Sequence, residues 1–260
     1  MDQVQSQGLD GYAKSWATIS AELAAQQHYA WMAEQLGRRK AVLEVGCGCG
    51  QSTEALVKGG ARVWAVDVDP AAVALCETHL RSQGVAVEVV PFDRLGQPSL
   101  AQVRLSVADA FDEQFVGMTA PLAIDAVALW FVGATPETAA SALGQEVDKI
   151  GPEQMAQFRD KLQLRTMRIA GALLQPGGVL HVVDRARVDW SEKDRVRQSV
   201  AAQMDVAGRG QFKTPWRDVF MRKIDAGAWE AFSQQSGSSS AIARHTALCS
   251  ITCTRAEEES

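Results

Sequence analysis

Val42-Leu43-Glu44-Val45-Gly46-Cys47-Gly48-Cys49-Gly50-Gln51-Ser52-Thr53 is the stretch on which the reading of this chain turns. A short apolar run ends in an acid, passes into three alternating glycines, and is followed by helix-forming residues from Ser52 to Lys58. Glycines in such a loop let the backbone turn sharply and bring its N–H groups close to a ligand, while the N-terminus of the next helix points the same way. A dinucleotide fingerprint needs Gly-x-Gly-x-x-Gly. Neither register supplies its third glycine, because Gln51 or Thr53 stands there.

Working outward, the pattern alternates strand and helix: strand 41–45, helix 52–58, strand 62–67, helix 70–82, with further strands at 123–131 and 178–183. The first two strands are continuous apolar runs, as in a sheet covered on both faces. Strand–helix alternation of this kind implies right-handed crossovers and a doubly wound, mostly parallel α/β sheet. Upstream, a helix is expected from Ser20 to Leu36, with Tyr29, Met32, Ala33 and Leu36 on one face. A helical insert is expected over 135–174: Thr135-Pro136-Glu137 is a capped helix start, and Gly151-Pro152 restarts a longer helix striped by Met155, Phe158, Leu162, Ile169 and Leu173. The charged segment 185–215 reads as partly helical, and strand candidates 218–224 and 245–254 follow, joined by a helix and the flexible Ser236–Ser240 region.

The acid-x-Gly-x-Gly-x-Gly run from Glu44 to Gly50 resembles motif I of the class I S-adenosylmethionine-dependent methyltransferases. Val63-Trp64-Ala65-Val66-Asp67-Val68-Asp69-Pro70 is similar to the family's second element, an acid at a strand's carboxyl end before a helix start. Leu174-Gln175-Pro176-Gly177-Gly178-Val179-Leu180 resembles the family's turn into strand five. The resemblance spans 41–184 and implies a seven-stranded sheet of order 3-2-1-4-5-7-6, its last strand antiparallel and supplied by the C-terminal strand candidates. Residues 1–40 would then be an N-terminal helical lid, residues 41–260 the cofactor-binding domain, and 185–215 a charged lid segment.

The resemblance also implies S-adenosylmethionine as cofactor and Asp67 as the acceptor of two bonds from ribose hydroxyls, with Asp69 capping the next helix. The adenine-binding acid has two candidates. Asp93, after Val85–Val90, lies at the usual distance from Asp67; Asp109, in Val107-Ala108-Asp109-Ala110-Phe111, has the better local pattern and is preferred. That preference makes 85–98 an added hairpin at the sheet's edge, with the Ala110 amide donating to the adenine ring. The implied cofactor set is Glu44, Gly46, Cys47, Gly48, Gly50, Asp67, Val68, Asp109, Ala110, Trp130 and Tyr12. Tyr12 and Trp16 precede the first helix and offer π-faces to a cationic sulfonium.

After strand four, family members that methylate nucleobase or amide nitrogens commonly carry Asn/Asp-Pro-Pro-Tyr/Phe. Ala128-Leu129-Trp130-Phe131 has no proline and no amide or carboxylate, which counts against DNA bases and protein glutamine as acceptors. The acceptor is expected to be a small metabolite methylated at oxygen or nitrogen. Candidates for a general base are His28 on the N-terminal helix, His181 within strand five, and Asp184 at that strand's carboxyl end. A noncatalytic cofactor-binding relative is the alternative, and a nicotinamide oxidoreductase a more distant one.

Bulk properties agree. The chain has 260 residues, a net charge of −5 and 47% apolar residues, giving no electrostatic reason to expect nucleic acid. The longest apolar run, Ala126–Ala134, is too short to span a bilayer, and residues 1–20 lack an apolar core of signal-peptide length. Five cysteines, two of them inside the glycine loop, point to a reducing cytoplasm; Cys76 falls mid-helix, and no metal site is read from them. No metal, nucleic-acid or membrane partner is expected, and the chain is expected to be a monomer or homodimer.

Overall fold

The computed structural model describes residues 16–131, 133–224 and 245–257. Helix α1 covers 16–25 and α2 His28–Leu36. Strand β1 (Ala41–Val45), α3 (Gln51–Lys58), β2 (Arg62–Asp67) and α4 (Pro70–Ser82) follow, close to the expected bounds. Then come β3 (Val87–Val89), β4 (Val103–Val107), the short α5 (Phe115–Thr119), β5 (Ala126–Trp130), α6 (Pro136–Leu143) and α7 (Pro152–Leu173). The chain continues through β6 (Val179–Val188), α8 (Lys193–Gly208), β7 (Phe212–Lys213), β8 (Val219–Lys223) and β9 (His245–Arg255).

Strands pair in the order β3-β4-β2-β1-β5-β6-β9-β7, with β8 also on β9. Every pair from β3 to β6 is parallel, and β9 runs antiparallel between β6 and the β7/β8 side. The path β4-β2-β1-β5-β6-β9-β8 is the expected order 3-2-1-4-5-7-6. Among the described residues the sheet has nine strands rather than seven, because β3 and β7 are added at its edges.

Alternation along the strands divides the core by face. Leu43, Val45, Val127, Leu129, Leu180 and Val182 pack with α7 residues Phe158, Leu162 and Ile169. Val42, Val63, Ala65, Ala126 and Ala128 pack with Tyr29, Met32 and Leu36 of α2, Leu56 of α3 and Leu80 of α4. Fully burying one such leucine contributes about 1.5–3 kcal/mol, so the continuous apolar strands follow from helices on both faces. The caps expected from sequence form: Asp69 Oδ1 accepts from the Ala71 amide at 2.8 Å, and Thr135 Oγ1 from the Thr138 amide at 3.3 Å.

Four expectations change. The helix expected over 20–36 breaks at Gln27, which takes φ 60°. The Arg222 guanidinium on β8 donates to the Gln26 and Gln27 carbonyls at 3.2 and 3.3 Å, and the Gln27 carbonyl also accepts the first bond of α2 from the Trp31 amide at 3.1 Å. The hairpin expected over 85–98 is instead a parallel edge strand, Val87 opposite Val103. The intervening loop is long enough to bring the chain back parallel, and the Arg104 side chain binds it through the Leu95 carbonyl at 2.8 Å. Strand five runs past 183 to Val188, because β9 matches it residue for residue to His245. The charged segment 185–215 accordingly comprises the end of β6, α8 and β7, and α8 buries Ala201, Met204 and Gly208. The α7 part of 135–174 is itself the crossover from β5 to β6. The linker containing Ser236–Ser240 lies outside the described residues.

Candidate active site

Ligands of open α/β sheets bind outside the carboxyl ends of the strands, where the strand order reverses. Here a cleft of about 960 Å³, its open mouth included, lies at the ends of β1, β2, β4 and β5.

The glycine loop forms one wall. Gly46, Gly48 and Gly50 have φ of 85°, 49° and 94°, the left-handed region that side chains disfavour. Gly46 and Cys47 amides both donate to the Val66 carbonyl, which holds the loop to the end of β2. The Gly48 amide donates to Asp67 Oδ2 at 3.0 Å, and the Asp69 amide to Asp67 Oδ1 at 3.0 Å. Burial raises the Asp67 pKa, while these backbone donors oppose that rise. A carboxylate has about four acceptor positions, so Asp67 can anchor the loop and still accept from a ligand.

The glycines serve different neighbours. A Cβ on Gly48 would lie 2.8 Å from Trp16 Nε1, so the indole rests directly on the loop. One on Gly50 would meet Cys76 Cα and Sγ at 3.1 Å, so that glycine lets α4 approach. Glu44 lies beneath the loop, fully buried, and accepts from Thr53 Oγ1 at 2.6 Å. Burial pushes its pKa up to about 7, partly offset by the Ser52 and Thr53 hydroxyls. Of the expected cofactor set, Gly46, Cys47, Gly48, Asp67, Val68, Asp109, Ala110 and Trp130 line the cleft. Glu44 and Gly50 are not among its lining residues, and Tyr12 lies outside the described residues.

The loop residues Cys47 and Cys49 both line the cleft. A hydrogen bond with Cys76, then burial, raises the Cys47 pKa well above the usual thiol range, and burial lifts Cys49 to about 11. They are protonated at neutral pH and poor nucleophiles.

An aromatic group closes the β5 side. Phe131 meets Trp16 edge-on at 6.3 Å and Tyr29 at 5.9 Å between ring centroids. It adopts φ 54°, a backbone state that costs a bulky residue of order 1–3 kcal/mol and clusters at functional sites. Tyr29 Oη pairs with Ser20 Oγ at 2.6 Å, and both residues line the cleft. At the far end, Asp109 and Ala110 follow β4, with Phe111 packed 6.1 Å from Phe158 of α7. Asp93 sits in a 3-10 turn and does not line the cleft.

None of the three candidate bases lines the cleft. His28 is buried, with Nε2 2.9 Å from Gln26 Oε1. His181 is a core residue between Trp130 and Ser250. Asp184 accepts from the Arg185 amide at 2.7 Å and lies 4.0 Å from Arg159, its pKa raised by burial. Ser20, Tyr29, Phe111, Thr138, Phe158 and Leu162 line the cleft without having been singled out for it from sequence. The helical spacing of Phe158 and Leu162 marked them only as core. Among the described residues no group of three or more His, Cys, Asp or Glu could hold a metal ion, and no helix is long and apolar enough to cross a membrane.

A family model described as a methyltransferase domain matches residues 42–125, from β1 to the start of β5. No curated protein matches the sequence. Among solved structures, the YcgJ protein of Bacillus subtilis is 12% identical with a TM-score of 0.50, covering 89% of this chain and 99% of that one. The [4+2]-cyclase SpnF is 14% identical with a TM-score of 0.50, covering 90% of this chain and 81% of that one. The N-methyltransferase NodS from Bradyrhizobium japonicum WM9, in complex with S-adenosyl-L-homocysteine, is 13% identical with a TM-score of 0.49, covering 89% and 87%. Likeness at such identity is one of fold. The domain match, the strand order and the loop on Asp67 fall on one region: residues 42–125 match a methyltransferase domain, set in a Rossmann-like sheet whose glycine loop is held by Asp67.

Proposed function

We propose that this protein transfers a methyl group from S-adenosylmethionine to an oxygen or nitrogen of a small metabolite. The observation that carries the reading is the shared anchoring of the glycine loop and strand two by Asp67, at the bottom of a cleft roofed by aromatic rings. When bound, S-adenosylmethionine supplies a methyl group already activated on a cationic sulfonium.

The chain's own part is alignment. Gly46 and Gly48 let the backbone approach the ligand, and Asp67 accepts from the ribose hydroxyls. Asp109 and the Ala110 amide hold the adenine, with Phe111, Phe158 and Leu162 as its apolar surroundings. Trp16, Tyr29 and Phe131 present π-faces that favour a cation and exclude water. The ionisable side chains among the described lining residues are Tyr29, Cys47, Cys49, Asp67, Asp69 and Asp109. The three carboxylates belong to the ribose and adenine side in this reading. Rate then comes chiefly from holding acceptor and methyl carbon in line, which suits an acceptor that enters with a free lone pair.

A fold that also carries the [4+2]-cyclase SpnF does not by itself specify methyl transfer. Incubation with S-adenosylmethionine and a panel of small amines, phenols and carboxylates, followed by S-adenosylhomocysteine release, tests the reading. Acceptor-dependent release is expected. Tight S-adenosylhomocysteine binding with no turnover on any acceptor would favour the noncatalytic alternative.

A further inference from the structure

One peptide group in the turn after β4 is held at both ends. The Phe111 amide donates to Asp109 Oδ1 at 2.8 Å, and the Ala110 carbonyl of the same peptide accepts from Arg165 Nε at 2.7 Å. The Arg165 guanidinium also donates, through Nη2, to the Asp112 carbonyl at 2.7 Å. Arg165 lies on α7, and Phe158, Leu162 and Arg165 follow the i, i+4, i+7 spacing of one helix face. The first two residues line the cleft; the third grips the turn from behind. A guanidinium is a rigid planar fork that is always charged, and bonds in series polarise one another.

We propose that Arg165 is a positioning residue for cofactor recognition: through the Ala110–Phe111 peptide it fixes the Asp109 carboxylate, so that the cleft selects a purine bearing an amino group over one bearing an oxo group. The inference rests on the reading of the cleft as an S-adenosylmethionine site. Asp109 is exposed and on a loop, so its own turn is a weak constraint on the carboxylate. The Arg165 bond ties that turn to a 22-residue helix packed on the sheet. Without it the peptide plane can rotate, and the carboxylate can turn away from an amino group or swing clear of an oxo group. Affinity for the adenine ligand falls and rejection of the oxo ligand weakens together.

The test is calorimetric titration of S-adenosylhomocysteine and S-inosylhomocysteine into the full chain and its Arg165→Met, Arg165→Lys and Arg168→Met variants, with melting temperatures recorded. The wild type is expected to prefer the adenine ligand by about tenfold or more, the scale of one or two hydrogen bonds. Arg165→Met should compress that preference to about threefold or less, on the same scale. Arg165→Lys, with a single ammonium, should give an intermediate ratio. Arg168, exposed on the same helix, should keep the wild-type ratio when changed to Met. An unchanged ratio in Arg165→Met, even with lower stability or uniformly lower affinity, would overturn the proposal and leave Arg165 as a structural tie. If Arg165→Met does not fold, an unchanged ratio in Arg165→Lys would overturn it equally. A wild type that binds neither ligand contradicts the cofactor reading itself, a separate outcome.

Discussion

Trp130 Nε1 donates to His181 Nδ1 at 2.9 Å, joining the inner wall of the cleft to the centre of the sheet. An indole nitrogen only donates, so the contact fixes His181 as the tautomer protonated on Nε2, which donates to Ser250 Oγ at 2.8 Å. The ring is fully buried, and burial pushes its pKa down to about 3. His181 is a neutral pillar behind Trp130 rather than a proton acceptor for the reaction.

His181→Leu should therefore unfold more readily at pH 7.5, by about 1–3 kcal/mol for the buried Trp130 and Ser250 groups left unpaired. The pH dependence runs in a definite direction. An unfolded histidine takes up a proton as pH falls through 6.5, whereas the folded one resists until about 3. Wild-type stability from this group is thus present above pH 6.5 and lost as pH falls toward 3. The difference between variant and wild type in urea denaturation should shrink from pH 7.5 to pH 4.5. A difference independent of pH would contradict the assigned neutral, buried state.

Glu44 titrates in the opposite sense. Its folded pKa of about 7 lies above the ordinary 4.5, so the folded protein holds a proton that the unfolded chain has released. Stability from this group is greatest below pH 4.5 and is lost as pH rises to 7. Glu44→Gln keeps an acceptor for Thr53 and lacks that loss. It should gain on wild type, by on the order of 1–3 kcal/mol, between pH 5 and 8. Parallel stability curves for the two proteins across that range would contradict this account of the loop's foundation.

Asp109 and Asp93 make a matched pair. The strand before Asp109 pairs directly with β2, while the strand before Asp93 lies outside it at the sheet edge. Asp109→Ala should lower S-adenosylhomocysteine affinity by about 0.5–3 kcal/mol, the worth of one hydrogen bond to the adenine amino group. Asp93→Ala should stay near wild type. Calorimetry on both variants decides; a loss confined to Asp93→Ala would move the adenine site to the turn after β3.

The elements around the glycine loop were legible because their signals are local. Val42–Val45, Glu44 excepted, and Val63–Val66 are apolar on both faces, Asp69 and Thr135 are caps, and Pro70, Pro136 and Pro152 stand at first helical turns. What sequence missed has distant causes. The break at Gln27 carries no glycine or proline and is held by Arg222, far along the chain. The extension of β6 to Val188 depends on β9, and the parallel pairing of β3 on a loop bound by Arg104. Within the cleft, Asp67 and the glycines announced themselves through spacing. Tyr29, Phe158 and Leu162 carry ordinary core periodicity, and only the packing of α2 and α7 turns one edge of that stripe toward the ligand space.

The central claim is that Asp67 and the glycine loop it anchors form the seat of S-adenosylmethionine. Calorimetric titration of S-adenosylhomocysteine into wild type and Asp67→Ala tests it most directly. The account predicts saturable one-to-one binding to wild type and a loss of tenfold or more in the variant, since a hydrogen bond to a charged group is worth about 1.5–3 kcal/mol. Equal affinity in the two proteins, or no binding to wild type where a nicotinamide dinucleotide binds instead, would contradict it.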